Sequence, residues 1–373
     1  MKKIAVLGFG CIGKGVCRLL TEEGSRLGGK LKYICDLRDI PDRPYGDMHI
    51  KDFDIVLSDP EVAVVAELTG ARRAAFELSK KALEAGKSVV TSNKEVVSAY
   101  GPELLRIARE NNVSYLFEAA VGGAIPLIRP LRMNLRTDRI ESIYGILNGT
   151  TNYILTSMER GVPYGEALSR AKELGYAEPD PTADVTGLDS CRKISVLSAF
   201  IDGGIIPPEK IPTEGIENIP AAALDGAAAL CGRIKLIARA EQTEAGVFAC
   251  VRPCFVSRDN MLYNIDGVNN GITVKCKASG DLLFCGRGAG SIPTSVAVLS
   301  DISEALYGTT EPLDFHIAEE CAGRPVSRRF VVSEQPLNGI SFEAYHNGGG
   351  YHAYITSDDT DECGRIIWAS EAL

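Results

Sequence analysis

The residues best suited to chemistry fall into short stretches. Gly8, Gly10 and Gly13 have the spacing Gly-x-Gly-x-x-Gly, directly after the apolar run Lys3–Leu7 and before residues of helical periodicity. That context fits a dinucleotide pyrophosphate. Gly8 permits the tight turn, Gly10 leaves room for the phosphates, and Gly13 lets helix and sheet approach. Backbone N–H groups at the helix start, those of Cys11 and Ile12 among them, face the anion. Asp36 ends the next strand, where an acid accepts from the adenosine ribose hydroxyls; Arg38 and Arg43 just beyond would instead suit a 2′-phosphate. The spacing suits NAD and NADP alike.

Thr91-Ser92-Asn93-Lys94 lies at the carboxyl end of a predicted strand, the end at which open parallel sheets receive ligands. The stretch Asn148-Gly149-Thr150-Thr151-Asn152 joins a strand to a helix through small polar residues, suited to capping the helix and holding a carboxylate. Glu178, Asp180 and Asp184 occupy a proline-stiffened loop. Asp189 and Lys193 are four residues apart and share one helix face. Such a pair is commonly a surface ion pair of little worth. Beside the flanking acids it acquires another reading, in which the carboxylates take a substrate ammonium and the lysine handles a hydroxyl. A divalent metal is the weaker alternative, because oxygen-rich sites favour acids at alternate residues.

The elements that must position these groups alternate. Strands are expected at 3–7, 31–35, 54–57, 62–68, 88–91 and 113–118, with helices at 14–23, 74–86 and about 98–110. This order implies a doubly wound parallel sheet. Beyond Pro126 the pattern changes to strands near 140–146, 247–255, 272–276 and 282–285, mixed with helices near 151–174 and 186–201. The fold class expected is therefore α/β, a Rossmann-type doubly wound parallel sheet plus an α+β substrate and dimerisation domain with a mixed sheet. The division expected is 1–128 for the nucleotide, completed by a helix at about 291–310; 129–290 for substrate; and a small β-rich appendage at 311–373.

Composition sets the outer limits. The 373 residues are 45% hydrophobic and 24% charged, ordinary globular values. A net charge of −9 disfavours nucleic acid and anionic membrane surfaces, and no apolar run reaches transmembrane length. Eleven scattered cysteines without a Cys-x-x-Cys pair read as buried reduced thiols, and hence as a cytoplasmic protein.

With these motifs in this order, the chain resembles the homoserine dehydrogenases from Gly8 to about Asp301. The likeness includes Val89-Val90-Thr91-Ser92-Asn93-Lys94, Phe117-Glu118-Ala119-Ala120-Val121-Gly122-Gly123, the Asn148–Asn152 segment and the block from Gly175 to Lys193. It implies NAD(P)-dependent interconversion of L-homoserine and L-aspartate 4-semialdehyde in threonine and methionine biosynthesis. By resemblance Lys193 is the catalytic lysine and Lys94 the second lysine; Glu178 and Asp189 hold homoserine, with Asp184 a further acid. Gly288 joins Gly8, Gly10, Cys11, Ile12, Gly13, Asp36, Arg38, Thr91 and Lys94 at the cofactor. Glu118, Val121, Gly123 and Ile125 match a site for a monovalent cation, Na+ or K+. A homodimer is implied. The tail is short for an ACT domain, and none of the ordinary threonine-binding kind is expected. Two other functions compete: a related dehydrogenase for another amino acid or semialdehyde, and a catalytically silent NAD(P)-sensing protein. Residues 175–193 discriminate the first, and retention of both lysines weighs against the second.

Overall fold

The run Ile4-Ala5-Val6-Leu7 is buried and sits at the centre of a parallel sheet, its N–H and C=O groups shared with strands on both sides. The computed structural model describes residues 1–23, 27–38, 48–308, 313–325, 328–337, 339–357 and 366–373. The chain starts with β1 (Lys2–Leu7), α1 (Cys11–Glu23), β2 (Gly29–Cys35), β3 (His49–Ile50), α2 (Asp54–Ser58) and β4 (Val62–Glu67). Next come α3 (Arg72–Glu84), β5 (Ser88–Thr91), α4 (Lys94–Glu110), β6 (Tyr115–Leu116) and β7 (Ile140–Ile146). Then follow α5 (Gly149–Met158), α6 (Tyr164–Glu173), α7 (Thr182–Val185), α8 (Leu188–Asp202), β8 (Gly204–Ile205) and α9 (Ala221–Ala229). The long strands β9 (Gly232–Thr243) and β10 (Gly246–Ser257) precede β11 (Asn269–Cys276), β12 (Gly280–Arg287) and α10 (Ser291–Tyr307). The last strands are β13 (His316–Ile317), β14 (Arg329–Ser333), β15 (Ala344–Gly348), β16 (Tyr351–Thr356) and β17 (Ile366–Ala372).

Two compact units result. The first comprises Met1–Thr137, Gly203–Pro207 and Arg287–Ala318; the second comprises Asp138–Asp202, Pro208–Gly286 and Glu319–Leu373. In the first unit all the sheet pairings are parallel, in the order β3-β2-β1-β4-β5-β6, which is the doubly wound dinucleotide-binding order. Its core joins Ile4, Val6 and Val64 from the strands to Val16 and Leu20 of α1 and to Val298 and Ile302 of α10. Helix α10 returns from far along the chain because α1 is built to receive it. A Cβ on Gly15 would lie 2.4 Å from Ser295 Oγ, and Ser291 Oγ donates to the Cys11 carbonyl at 2.8 Å.

Three expectations need correction. Residues 54–57 form helix α2, not a strand: the Asp52 carboxylate accepts the Asp54 N–H and the Phe53 carbonyl accepts those of Val56 and Leu57, so the turn closes locally. Only Val56 is buried there, and a four-residue apolar run has no period that separates strand from helix. The strand expected at 113–118 shrinks to Tyr115–Leu116, because a 3-10 turn begins at Glu118. Among the cysteines, the ten described are free, but Cys11, Cys231 and Cys285 are exposed. Arg43 and Cys363 lie outside the described residues.

The second unit is built on a nine-stranded mixed sheet, β12-β11-β7-β9-β10-β17-β14-β16-β15. The tail strands continue this sheet through β17, which runs parallel to β10. At that junction Glu371, whose side chain is 2% exposed, has three arginines around it: Arg324 at 3.0 Å, Arg239 at 3.4 Å and Arg252 at 3.7 Å. Glu241 engages Arg239 from another side. Charges this deep are tolerable only together. Replacing Glu371 by alanine removes the carboxylate shared by Arg239, Arg252 and Arg324, leaving Glu241 on Arg239, and is expected to cost about 3–5 kcal/mol, the range for breaking one side of a buried pair. Thermal unfolding of Glu371→Ala beside Glu371→Gln measures this, with the alanine variant melting lower.

Candidate active site

In the first unit the glycine loop is fixed by its own backbone. Gly8, at φ +90°, donates its N–H to the Cys35 carbonyl at 2.8 Å, and a Cβ there would come 2.7 Å from the Leu68 carbonyl oxygen. A Cβ on Gly13 would fall 2.0 Å from the Gly8 carbonyl oxygen, so loop and helix touch only because that atom is missing. Gly10 faces open space, with no atom within 4 Å of where its Cβ would stand. No acidic residue occupies the first turn of α1, which starts at Cys11, so the positive end of the helix dipole is unopposed. A tight loop, an open face and an unopposed helix start fit a dinucleotide pyrophosphate.

Asp36 is buried beside this loop. Its carboxylate accepts the Phe9 N–H at 2.8 Å and a two-point contact from Arg38, at 2.9 Å from Nε and 2.7 Å from Nη2. The Arg38 guanidinium holds that carboxyl well below the usual range, against the opposing effect of burial. Thr91, at the end of β5, donates its hydroxyl to Glu67 at 2.9 Å and accepts the Asn93 N–H at 3.0 Å. Asn93 caps α4, and half-buried Lys94 is the first residue of that helix. Gly288 is buried against Gly123, where a Cβ would approach its carbonyl carbon to 2.5 Å.

Glu118 is buried, and its side chain is committed: Leu127, Ile128 and Arg129 donate backbone N–H groups to it at 2.5, 2.9 and 2.7 Å. Burial nevertheless pushes its carboxyl up. Asp301 accepts the Glu118 N–H at 2.8 Å and is pushed well up by burial, then by the Glu118 charge. Val121, Gly123 and Ile125 lie in the buried turn that follows, bent at Gly122 and Gly123, both of positive φ. Among the described residues, no group of three or more His, Cys, Asp or Glu side chains is placed to hold a metal ion.

In the second unit the end of β7 and the start of α8 converge. Gly145 and Gly149 let this corner pack, since a Cβ would come 2.2 Å from the Gly271 carbonyl oxygen and 2.6 Å from that of Val268. Lys193 is buried on α8. Its Nζ donates to the Leu147 carbonyl at 2.7 Å and pairs with Asp189 at 2.7 Å, one helical turn earlier. Asn148 caps α5: its side-chain oxygen accepts from Thr151 N–H at 2.8 Å and Thr151 Oγ1 at 3.0 Å. The same amide donates to Asp184 at 2.7 Å and to Asp189 at 2.9 Å. Burial pushes the Asp184 carboxyl up, and the bond from Asn148 pulls it down. Asp184 sits on the short helix α7, not in the loop expected of it, while Glu178 is exposed.

The structure thus gathers Lys193, Asp189 and Asp184, and adds Asn148 at their centre. The spacing of Asn148–Asn152 points to a helix cap and to a carboxylate held by N–H groups, but it gives no sign that the carboxylates at Asn148 are those of Asp184 and Asp189. Lys235, buried on β9, carries no motif that marks it in the sequence. It donates to Asn152 at 3.1 Å and to the Ile265 carbonyl at 2.9 Å, and burial pushes its ammonium down.

A doubly wound unit with a pyrophosphate cradle, and a second unit with a buried lysine among acids, define a dinucleotide-dependent oxidoreductase. Two family models match: the NAD binding domain of homoserine dehydrogenase over residues 8–118, and homoserine dehydrogenase over residues 126–303. A homoserine dehydrogenase of Synechocystis is 40% identical over 315 residues, 80% of this chain and 72% of that protein. The crystal structure of a homoserine dehydrogenase from Thiobacillus denitrificans superimposes with a TM-score of 0.87 at 29% identity, covering 100% of this chain and 98% of that one. A hyperthermophilic archaeal homoserine dehydrogenase mutant in complex with NADPH matches with a TM-score of 0.72 at 28% identity, over 84% of this chain and 100% of that one. The chain belongs to the homoserine dehydrogenase family. Its reaction is the NAD(P)-dependent interconversion of L-homoserine and L-aspartate 4-semialdehyde, an oxidation and reduction at a CH–OH group. Among the described residues no helix is long and apolar enough to cross a membrane.

Gly13→Ala is expected to lower NADPH affinity by at least about tenfold, since the backbone contact that shapes the cradle cannot persist. Isothermal titration measures the change, and unaltered affinity would contradict this account of the loop.

Proposed function

We propose that Lys193 carries the proton of this reaction. The observation behind the reading is its Nζ, buried and held at 2.7 Å from both the Leu147 carbonyl and the Asp189 carboxylate. A nicotinamide, when bound, supplies or accepts the hydride. In the direction of alcohol oxidation Lys193 takes the hydroxyl proton; in the direction of aldehyde reduction it returns it. Asp189 orients that amine and, with exposed Glu178, receives the substrate ammonium, while Asp184 completes the acidic wall. Lys94 is the second lysine, acting on substrate or cofactor from the start of α4.

The glycine loop, with Cys11 and Ile12 at the helix start, takes the pyrophosphate. Asp36 and Arg38 take the adenosine ribose or its phosphate, and Thr91 and Gly288 border the cofactor. The NADPH complex of the archaeal relative supports NADP as one of the two cofactors. Glu118, with the peptide carbonyls of Val121, Gly123 and Ile125, holds Na+ or K+. In support, the Asp301 carboxylate accepts the Glu118 N–H in the interior and feels the Glu118 charge, with Arg129 3.7 Å away as a countercharge. Residues 1–128, completed by α10, serve the nucleotide. Residues 129–290 serve substrate and dimer pairing. The working form is a cytoplasmic homodimer.

Absorbance at 340 nm with aspartate semialdehyde and either NADPH or NADH tests this reading and ranks the cofactors. Lys193→Ala is expected to lose at least about a hundredfold in kcat, the lower end for a positioned general acid–base. Near-wild-type turnover in that variant, with Lys94→Ala inactive, would reverse the assignment. Exchanging choline for Na+ or K+ at constant ionic strength is expected to raise the thermal midpoint if the carbonyl site binds the ion.

A further inference from the structure

We infer that Asn148 is a positioning residue of the reaction: its amide, clamped by the cap of α5, sets Asp184 and Asp189 side by side as acceptors and so presents Asp189 to Lys193 in one orientation. This rests on the reading of Lys193 as the proton carrier.

The geometry carries the argument. The Asn148 oxygen is taken by two donors of Thr151 and its nitrogen by one oxygen of each aspartate. The amide cannot flip without losing all four bonds, so its orientation is set by the partners. One nitrogen then holds two carboxylates, and neither has to share a proton with the other to stay in place. Carboxylates brought together without such a donor tend to take up a proton between them. Among the described residues, the groups acting on Asp184 include Asp189 and Lys193 from α8, and the neutral Asn148 and Thr150 from the corner where β7 meets α5. Burial pushes the Asp184 carboxyl up, and the hydrogen bond from Asn148 is the main pull downward. With that donor gone, Asp184 binds its proton at higher pH. It then donates to Asp189 Oδ2, the oxygen that pairs with Lys193, and draws that carboxylate away from the amine.

The sign follows directly. Loss of Asn148 leaves less of the enzyme with both acids ionised at a given acidic pH, so the acid limb of the activity profile moves upward. The cap has to survive for this to be read. Serine caps a helix about as well as asparagine, and aspartate does too, but neither can donate to two carboxylates.

The experiment compares Asn148→Ser and Asn148→Asp with the wild-type enzyme in homoserine oxidation across pH, with NADP+ affinity and thermal midpoint measured beside it. The expected result is an acid limb displaced to higher pH in both variants and a fall in kcat of about ten- to a hundredfold, the scale of one hydrogen bond to a charged group. NADP+ affinity and the Asn148→Ser midpoint stay close to wild type. A pH profile of either folded variant that superimposes on wild type would overturn the positioning role. Lys193→Ala run in parallel separates the two ideas. If it is inactive while Asn148→Ser keeps the wild-type profile, only the inference about Asn148 fails; if it is fully active, the reading of Lys193 fails instead.

Discussion

An ammonium group taken out of water has to keep both a countercharge and acceptors, and in the second unit that requirement is met at Lys193. Its acceptors are a carbonyl at the end of β7 and a carboxylate one turn back on α8. The two elements must therefore hold a fixed distance and angle, and the residues around them are selected by that demand. Glycines at 145 and 149 let the corner close where a side chain would collide with the strand alongside. Asn148, two residues past the strand, caps the helix and ties both aspartates to the same point. A lysine on the surface would need none of this, since water would solvate it at little cost.

The first unit solves a different problem with backbone rather than charge. Its loop is held by the Gly8 N–H to Cys35 and by the close approach of Gly13, so the phosphate-binding face is shaped before any ligand arrives. Asp36 reinforces that shape by accepting from Phe9 within the loop, while Arg38 neutralises it. Ribose recognition and loop geometry are thereby joined in one carboxylate. The return of α10 to α1 explains why a nucleotide unit needs residues nearly 300 positions apart: the small residues Gly15, Ser291 and Ser295 form the seam.

Much of this was legible in the residues. The glycine spacing, the alternation of strands and helices and the Asp189/Lys193 pair all depend on local periodicity, which a sequence displays openly. The failures have physical causes. Asp54–Leu57 is too short to show a period, and its helix is set by side-chain and backbone bonds from Asp52 and Phe53 just ahead of it. Strand β9 is hidden in the sequence because Lys235 points inward, among Asn152, Ile265 and Asp266, so that a charge sits where the alternation calls for an apolar residue. The partners of Asn148 lie 36 and 41 residues away, and bonds across such separations leave no mark on either neighbourhood. The tail was read as β-rich, but its pairing with β10 depends on charges from four segments meeting at Glu371.

The central claim is that the Lys193 amine moves the hydroxyl proton. A crystal structure of the enzyme with L-homoserine and NADP+ addresses it directly. The account requires Lys193 Nζ within about 2.6–3.2 Å of the homoserine hydroxyl oxygen, the reach of proton transfer. An amine turned away from that oxygen, with another titratable group in its place, would contradict it.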